Sequence, residues 1–150
     1  MITWQRETWA SYRAECDALW REHYDEIAVQ KAMRMKPDEP AYRALDATGQ
    51  LDVLVGRKAG VMVGYILSVV RPHLHYADTL CGFEDSYFLT KPERRGMAGV
   101  RLLREWEASM RQRGCFKWFI ETKPFLDMGP VLTRLGYRPS GYMYAKSVEG

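Results

Sequence analysis

Apolar residues alternate with polar ones along some stretches of the chain and recur at helical spacing along others. Ile2 and Trp4 share one side of residues 1–7 if that stretch is extended, as in a short first strand. From Thr8 onward Trp9, Tyr12, Cys16, Leu19, Trp20 and His23 return every three or four residues, which predicts one helix with an aromatic stripe packed on a core. Lys36-Pro37-Asp38-Glu39-Pro40 is a loop leading into a second helix. There Asp38 or Glu39 suits the amino end and Pro40 the first turn, and Thr48-Gly49 closes the helix after residues 41–47. Residues 51–55 and 61–70 are strand-like runs around Gly56-Arg57-Lys58-Ala59-Gly60, the pattern of a hairpin. Arg71-Pro72 ends the second run, because proline has no N–H for the ladder.

The densest pattern lies between Glu84 and Met110. Tyr87-Phe88-Leu89 reads as the end of a strand and stops at Thr90-Lys91-Pro92. Arg94-Arg95-Gly96-Met97-Ala98-Gly99 follows as a basic turn, and Leu102, Leu103, Trp106 and Met110 then fall on one side of a helix. Strand, glycine turn and helix together present free backbone N–H groups and the positive end of a helix dipole to an anion. Two arginines add charge that pairs with phosphate oxygens. The stretch reads as a pyrophosphate site, although a plain turn with solvated arginines has the same composition. Beyond Gly114, residues 116–122 alternate as a strand, residues 127–135 form a shorter helix ending at Gly136-Tyr137, and residues 142–146 make a last strand. The resulting order is β-α-α-β-β-β-α-β-α-β, an α/β chain with a mixed central sheet flanked by helices.

Composition narrows the function classes. A chain of 150 residues is most simply one domain, 1–150. A net charge of +3 makes no case for nucleic acid. No apolar run approaches the ~20 residues of a membrane span, and Met1 to Arg6 lacks the apolar core of a signal peptide. Cys16, Cys81 and Cys115 are odd in number and widely spaced. They suggest neither disulfides nor a metal site, and a cytoplasmic setting is expected. His73 and His75 share a face if their segment is extended, but no third ligand lies near them, so no metal is assigned.

At the turn the sequence resembles the GNAT family of acyl-CoA-dependent N-acetyltransferases. The family signature is Gln/Arg-x-x-Gly-x-Gly/Ala followed by a Leu-Leu pair, and here Leu102-Leu103 sets the register. Arg94 then occupies the first position, Met97 replaces the first glycine, and Gly99 matches the second. Leu135-Gly136-Tyr137 is similar to the family's late Leu-Gly-Phe/Tyr turn, and the element order matches that of the family. The N-terminal third and His73-Leu74-His75-Tyr76 are similar to GNAT-like proteins encoded by tailed phages.

The resemblance implies acetyl-CoA as cosubstrate and, as acceptor, a primary amine of a small molecule or protein. Phe88, Leu89 and Thr90 would pair with the pantetheine arm, and Arg94, Arg95, Gly96, Met97, Ala98 and Gly99 would hold the pyrophosphate. Glu84, Asp85 and His75 are the candidate general bases, because the attacking amine must lose a proton. Each also fits a plainer role, as a solvated sheet edge, an ion pair or a hydrogen-bonded loop. In a regular strand Glu84 and Asp85 point to opposite faces, so at most one would face substrate. Glu22-His23-Tyr24-Asp25-Glu26 lies where the family places acceptor-binding helices, and it equally suits a solvated helix end. The family's late tyrosine is absent, since Leu132 stands there. That departure and Met97 leave open an inactive GNAT-fold binding or regulatory protein. Pairing of two copies through the last strand is a further implication of the resemblance.

Overall fold

The computed structural model describes residues 1–148. Five strands form one sheet in chain order. They are β1 (Ile2–Arg6), β2 (Leu51–Lys58), β3 (Val61–His73), β4 (Tyr76–Leu89) and β5 (Lys117–Phe119). The first four pair antiparallel, and β5 joins β4 in parallel. The β2–β3 hairpin turns on Ala59 and Gly60, both at positive φ, which matches the twist of the flanking strands. Gly56 lies opposite Trp4 and Gly64, and its missing side chain makes room for the indole, since a Cβ there would lie 2.2 Å from the ring.

Leu51 to Gly56 are buried without interruption because helices cover the sheet on both faces. One core gathers Val53, Val55, Tyr65, Leu67 and Phe88 beneath the amino-terminal helices α1 (Trp9–Arg13), α2 (Asp17–Ile27) and α3 (Glu39–Ala47). On the other face Leu54, Ile66 and Val70 pack on Leu102, Trp106 and Met110 of α4 (Ala98–Gln112), the stripe expected from spacing. Asp52 is buried beneath α4, where Ser109 Oγ donates to it at 2.9 Å and Arg6 and Arg113 pair with it at 3.1 and 3.3 Å. Asp38 caps α3 by accepting from the Ala41 amide at 3.1 Å. A short helix, α5 (Gly129–Arg134), follows β5. Among the described residues no helix is long and apolar enough to cross a membrane.

Four expectations from the sequence are corrected. The first helix is two, because the chain turns at Ala14–Cys16. Thr8 caps the first half by accepting from the Ser11 amide, and the turn keeps Trp9, Tyr12, Cys16 and Trp20 in one core. β3 continues through Pro72 to His73, since Pro72 sits beside a register irregularity where its missing N–H is tolerated. β5 is three residues long rather than spanning 116–122. The last strand, 142–146, does not form, so the order ends β-α, and Tyr142, Met143 and Tyr144 are exposed and unpaired. Alternation alone does not make a strand without a paired neighbour.

Candidate functional site

β4 and β5 are paired only from Cys81↔Lys117 to Phe83↔Phe119. Beyond that point they separate, and β4 runs on to Leu89 with its outer edge open. The opening is a cavity of about 580 Å³. Its walls come from β4 (Glu84 to Leu89), α2, the start of α4 and the segment 121–131 that follows β5. The Glu84 carboxylate bridges the fork, accepting from the Glu121 amide at 3.2 Å.

A β-bulge fixes what faces this opening. Leu67 pairs with Ser86 and Ser68 with Glu84, which leaves Asp85 as the extra residue on β4. Strict alternation is lost there, and Glu84 and Asp85 both line the cavity. The expectation that at most one could do so is therefore corrected. Asp85 accepts from Tyr42 Oη at 2.5 Å. Glu84 is the unusual acid: burial, with the Asp85 and Glu121 charges adding to it, pushes its carboxyl up to about 7 against the opposing Glu121 hydrogen bond. The Tyr87 phenol also lines the cavity and is pushed up to about 12, chiefly by burial.

At the other end of the β4 edge lies the basic turn. Gly96 adopts φ 64°, a left-handed conformation that glycine takes without strain. No side chain caps α4 and its first turn holds no acid. Among the described residues, the amides of Arg95 to Val100 donate to no protein acceptor. A Cβ on Gly96 or Gly99 would meet nothing within 4 Å. Uncapped amides, a helix dipole and open space beside the backbone suit a diphosphate. The Met97 side chain is 59% exposed.

Phe88, Leu89, Arg94, Gly96 and Gly99 line the cavity, while Thr90, Arg95, Met97 and Ala98 belong to the same turn without lining it. The Thr90 amide is directed away, donating to Val63 O at 2.9 Å. Arg94 is anchored inward: Nε donates to Leu89 O at 2.7 Å, the guanidinium lies 5.2 Å from the Phe88 ring centroid, and it pairs with Glu26 at 2.8 Å. His75 is not brought to the cavity. It sits exposed on the β3–β4 hairpin, where its amide donates to His73 Nδ1 at 3.1 Å. At the position where the resembling family carries its late tyrosine, Leu132 is buried. Tyr137 Oη accepts from Trp118 Nε1 at 3.0 Å and does not line the cavity.

Tyr87, Lys123 and Asp127 line the cavity without having been singled out as site residues by sequence, and His23 and Glu26 line it from the stretch that resembles acceptor-binding helices. The one available signal was the acidic and imidazole cluster Glu22 to Glu26 at the end of the aromatic stripe. Glu26, Glu84, Asp85, Glu121 and Asp127 stand against Arg94 and Lys123, five carboxyl groups to two cations.

No protein-family model and no curated protein matches the chain. Solved structures do. A predicted acetyltransferase with acetyl-CoA from Clostridium acetobutylicum is 11% identical with a TM-score of 0.72, covering 100% of this chain and 99% of that one. An aminoglycoside acetyltransferase from an uncultured soil metagenomic sample is 12% identical with a TM-score of 0.73, over 98% and 96% of the two chains. A transcriptional regulator from Bacillus halodurans C-125 is 16% identical with a TM-score of 0.77, over 98% and 99%. At such identities the likeness establishes the fold, which is that of the GNAT acetyltransferases.

Proposed function

We propose that this chain is an acetyl-CoA-dependent N-acetyltransferase acting on a primary amine of a small molecule or protein. The observation that carries the reading is the open β4 edge, which leads from the half-buried Glu84 carboxyl to the uncapped amino end of α4. Free edge amides and carbonyls between Glu84 and Leu89 would pair with an extended pantetheine arm, and the amides of Arg95 to Val100 with the diphosphate. Bound there, acetyl-CoA supplies an acetyl group activated as a thioester.

The chain's own residues supply the rest. Glu84, balanced near neutrality, accepts a proton from the attacking ammonium or amine, the task for which a base near the working pH is best suited. An open N–H on β4 would stabilise charge developing on the acyl oxygen. The excess of carboxyl groups in the cavity favours a cationic acceptor. Leu132 removes a phenol from the usual place, and a thiolate leaving group does not require one.

Calorimetric titration with acetyl-CoA tests the reading. Saturable micromolar binding is expected, lost in Arg94→Glu, with CoA release dependent on an added amine. Absence of binding at millimolar acetyl-CoA would overturn it and favour a GNAT-fold binding protein. That second reading draws on the exposed Tyr142, Met143 and Tyr144.

A further inference from the structure

His23 belongs to none of the roles given above, yet it lies in the cavity wall with a fixed set of neighbours. Its Nδ1 is 2.7 Å from Tyr65 Oη. Behind Tyr65 the buried Tyr12 ring packs edge-on at 5.2 Å, and Trp20 Nε1 donates to Tyr12 Oη. Tyr12 accepts from Trp20, since an indole N–H can only donate. Tyr65 is fully buried, and among the described residues its hydroxyl has His23 Nδ1 as its one hydrogen-bond partner. A buried phenol proton needs an acceptor, so Tyr65 gives it to His23 Nδ1.

An imidazole that accepts at Nδ1 and is neutral carries its proton on Nε2. Neutrality follows from the surroundings. Burial pushes the ring down to about 4; Arg94 from the α4 turn and Lys123 from the segment after β5 act in the same direction, and Glu26 on its own helix acts against them. Among the described residues Nε2 has no protein partner and is not a buried, unsatisfied atom, so it opens on the cavity. The ring stacks on Phe88 of β4 at 4.9 Å and 24°, and both residues line the cavity.

We propose that His23 is a substrate-binding residue whose Nε2–H is a fixed, uncharged hydrogen-bond donor for a carbonyl oxygen of the acyl donor. The ligand half of the inference rests on the N-acetyltransferase reading; the donor itself does not. The carbonyl is either that of the thioester or that of a pantetheine amide. A ring locked this way serves neither as general base nor as cation, which leaves proton transfer to Glu84.

Long-range 1H–15N correlation spectra of the 15N-labelled full chain test both halves, with the His23 signals identified by their loss in His23→Gln. The Nε2–H neutral tautomer is expected throughout pH 5 to 8, and Tyr65→Phe, which removes the donor at Nδ1, should raise the share of the Nδ1–H tautomer. An Nδ1–H tautomer or an imidazolium signature in that range would overturn the proposal. On titration the Nε2–H resonance should shift with acetyl-CoA alone if the partner is the thioester, and with CoA as well if it is an amide. His23→Phe should weaken acetyl-CoA roughly three- to tenfold, and His23→Gln, which keeps a donor, by less. Calorimetric binding of acetyl-CoA that leaves Nε2–H unmoved would also overturn the proposal. Absence of acetyl-CoA binding with the Nε2–H tautomer intact would instead defeat the N-acetyltransferase reading, together with the ligand half, and leave the donor standing.

Discussion

Glu84→Gln should make the protein inactive and, above neutral pH, more stable. The native carboxyl sits at about 7 rather than 4.5, so the folded protein holds this proton more tightly than the unfolded chain does. Stabilisation from the group is therefore complete below pH 4.5 and is lost as pH rises through about 7. The whole swing is about 3 kcal/mol, of which about 2.5 falls between pH 5 and pH 8. Glutamine stays uncharged and retains an oxygen to accept from the Glu121 amide. The variant should gain about 2.5 kcal/mol on the parent between those two pH values, or roughly 5 to 10 °C in Tm for a chain of this size. Thermal unfolding followed by circular dichroism at pH 5 and pH 8 measures the difference. Acetyl transfer should fall by about 100-fold or more. An equal Tm difference at both pH values would refute the account of a desolvated carboxyl. Undiminished acetyl transfer would remove Glu84 from the role of base.

Two further variants test the frame that positions the site. Gly56→Ala sets a Cβ against the rigid Trp4 ring and should lose about 1 to 3 kcal/mol, read as a lower urea midpoint. Asp52→Ala leaves Arg6 and Arg113 around a buried position without their counter-charge and should lose about 3 kcal/mol. An unchanged urea midpoint in Asp52→Ala would mean that the two guanidinium groups find solvent unaided.

Much of the frame was legible because it is written locally. The hairpin between residues 51 and 70, the helix start at Asp38 or Glu39 and the stripe Leu102, Leu103, Trp106 and Met110 each follow from residues close together in the chain, although Gly56 to Lys58, read as turn, belong to β2. The basic turn was legible for the same reason, as a run of six residues with a helix behind it. Residues 142–146 show the limit of such reading. Their composition suits a strand, but a strand exists only where its backbone pairs with a neighbour's, and among the described residues theirs pairs with none.

Periodicity, capping and turn chemistry thus marked out most of the elements, with one helix read where α1 and α2 stand, and singled out the turn proposed to hold an anion. The tertiary structure alone decided which side chains share the cavity. A one-residue bulge brought both Glu84 and Asp85 inward, and the separation of β4 from β5 opened the edge between them. His23 and Glu26 arrive from a helix some sixty residues earlier in the chain. His75, close to Glu84 in sequence, is carried away along a long hairpin. Charge and proton affinity in a site depend on distance and burial in space, and neither is encoded by spacing along the chain.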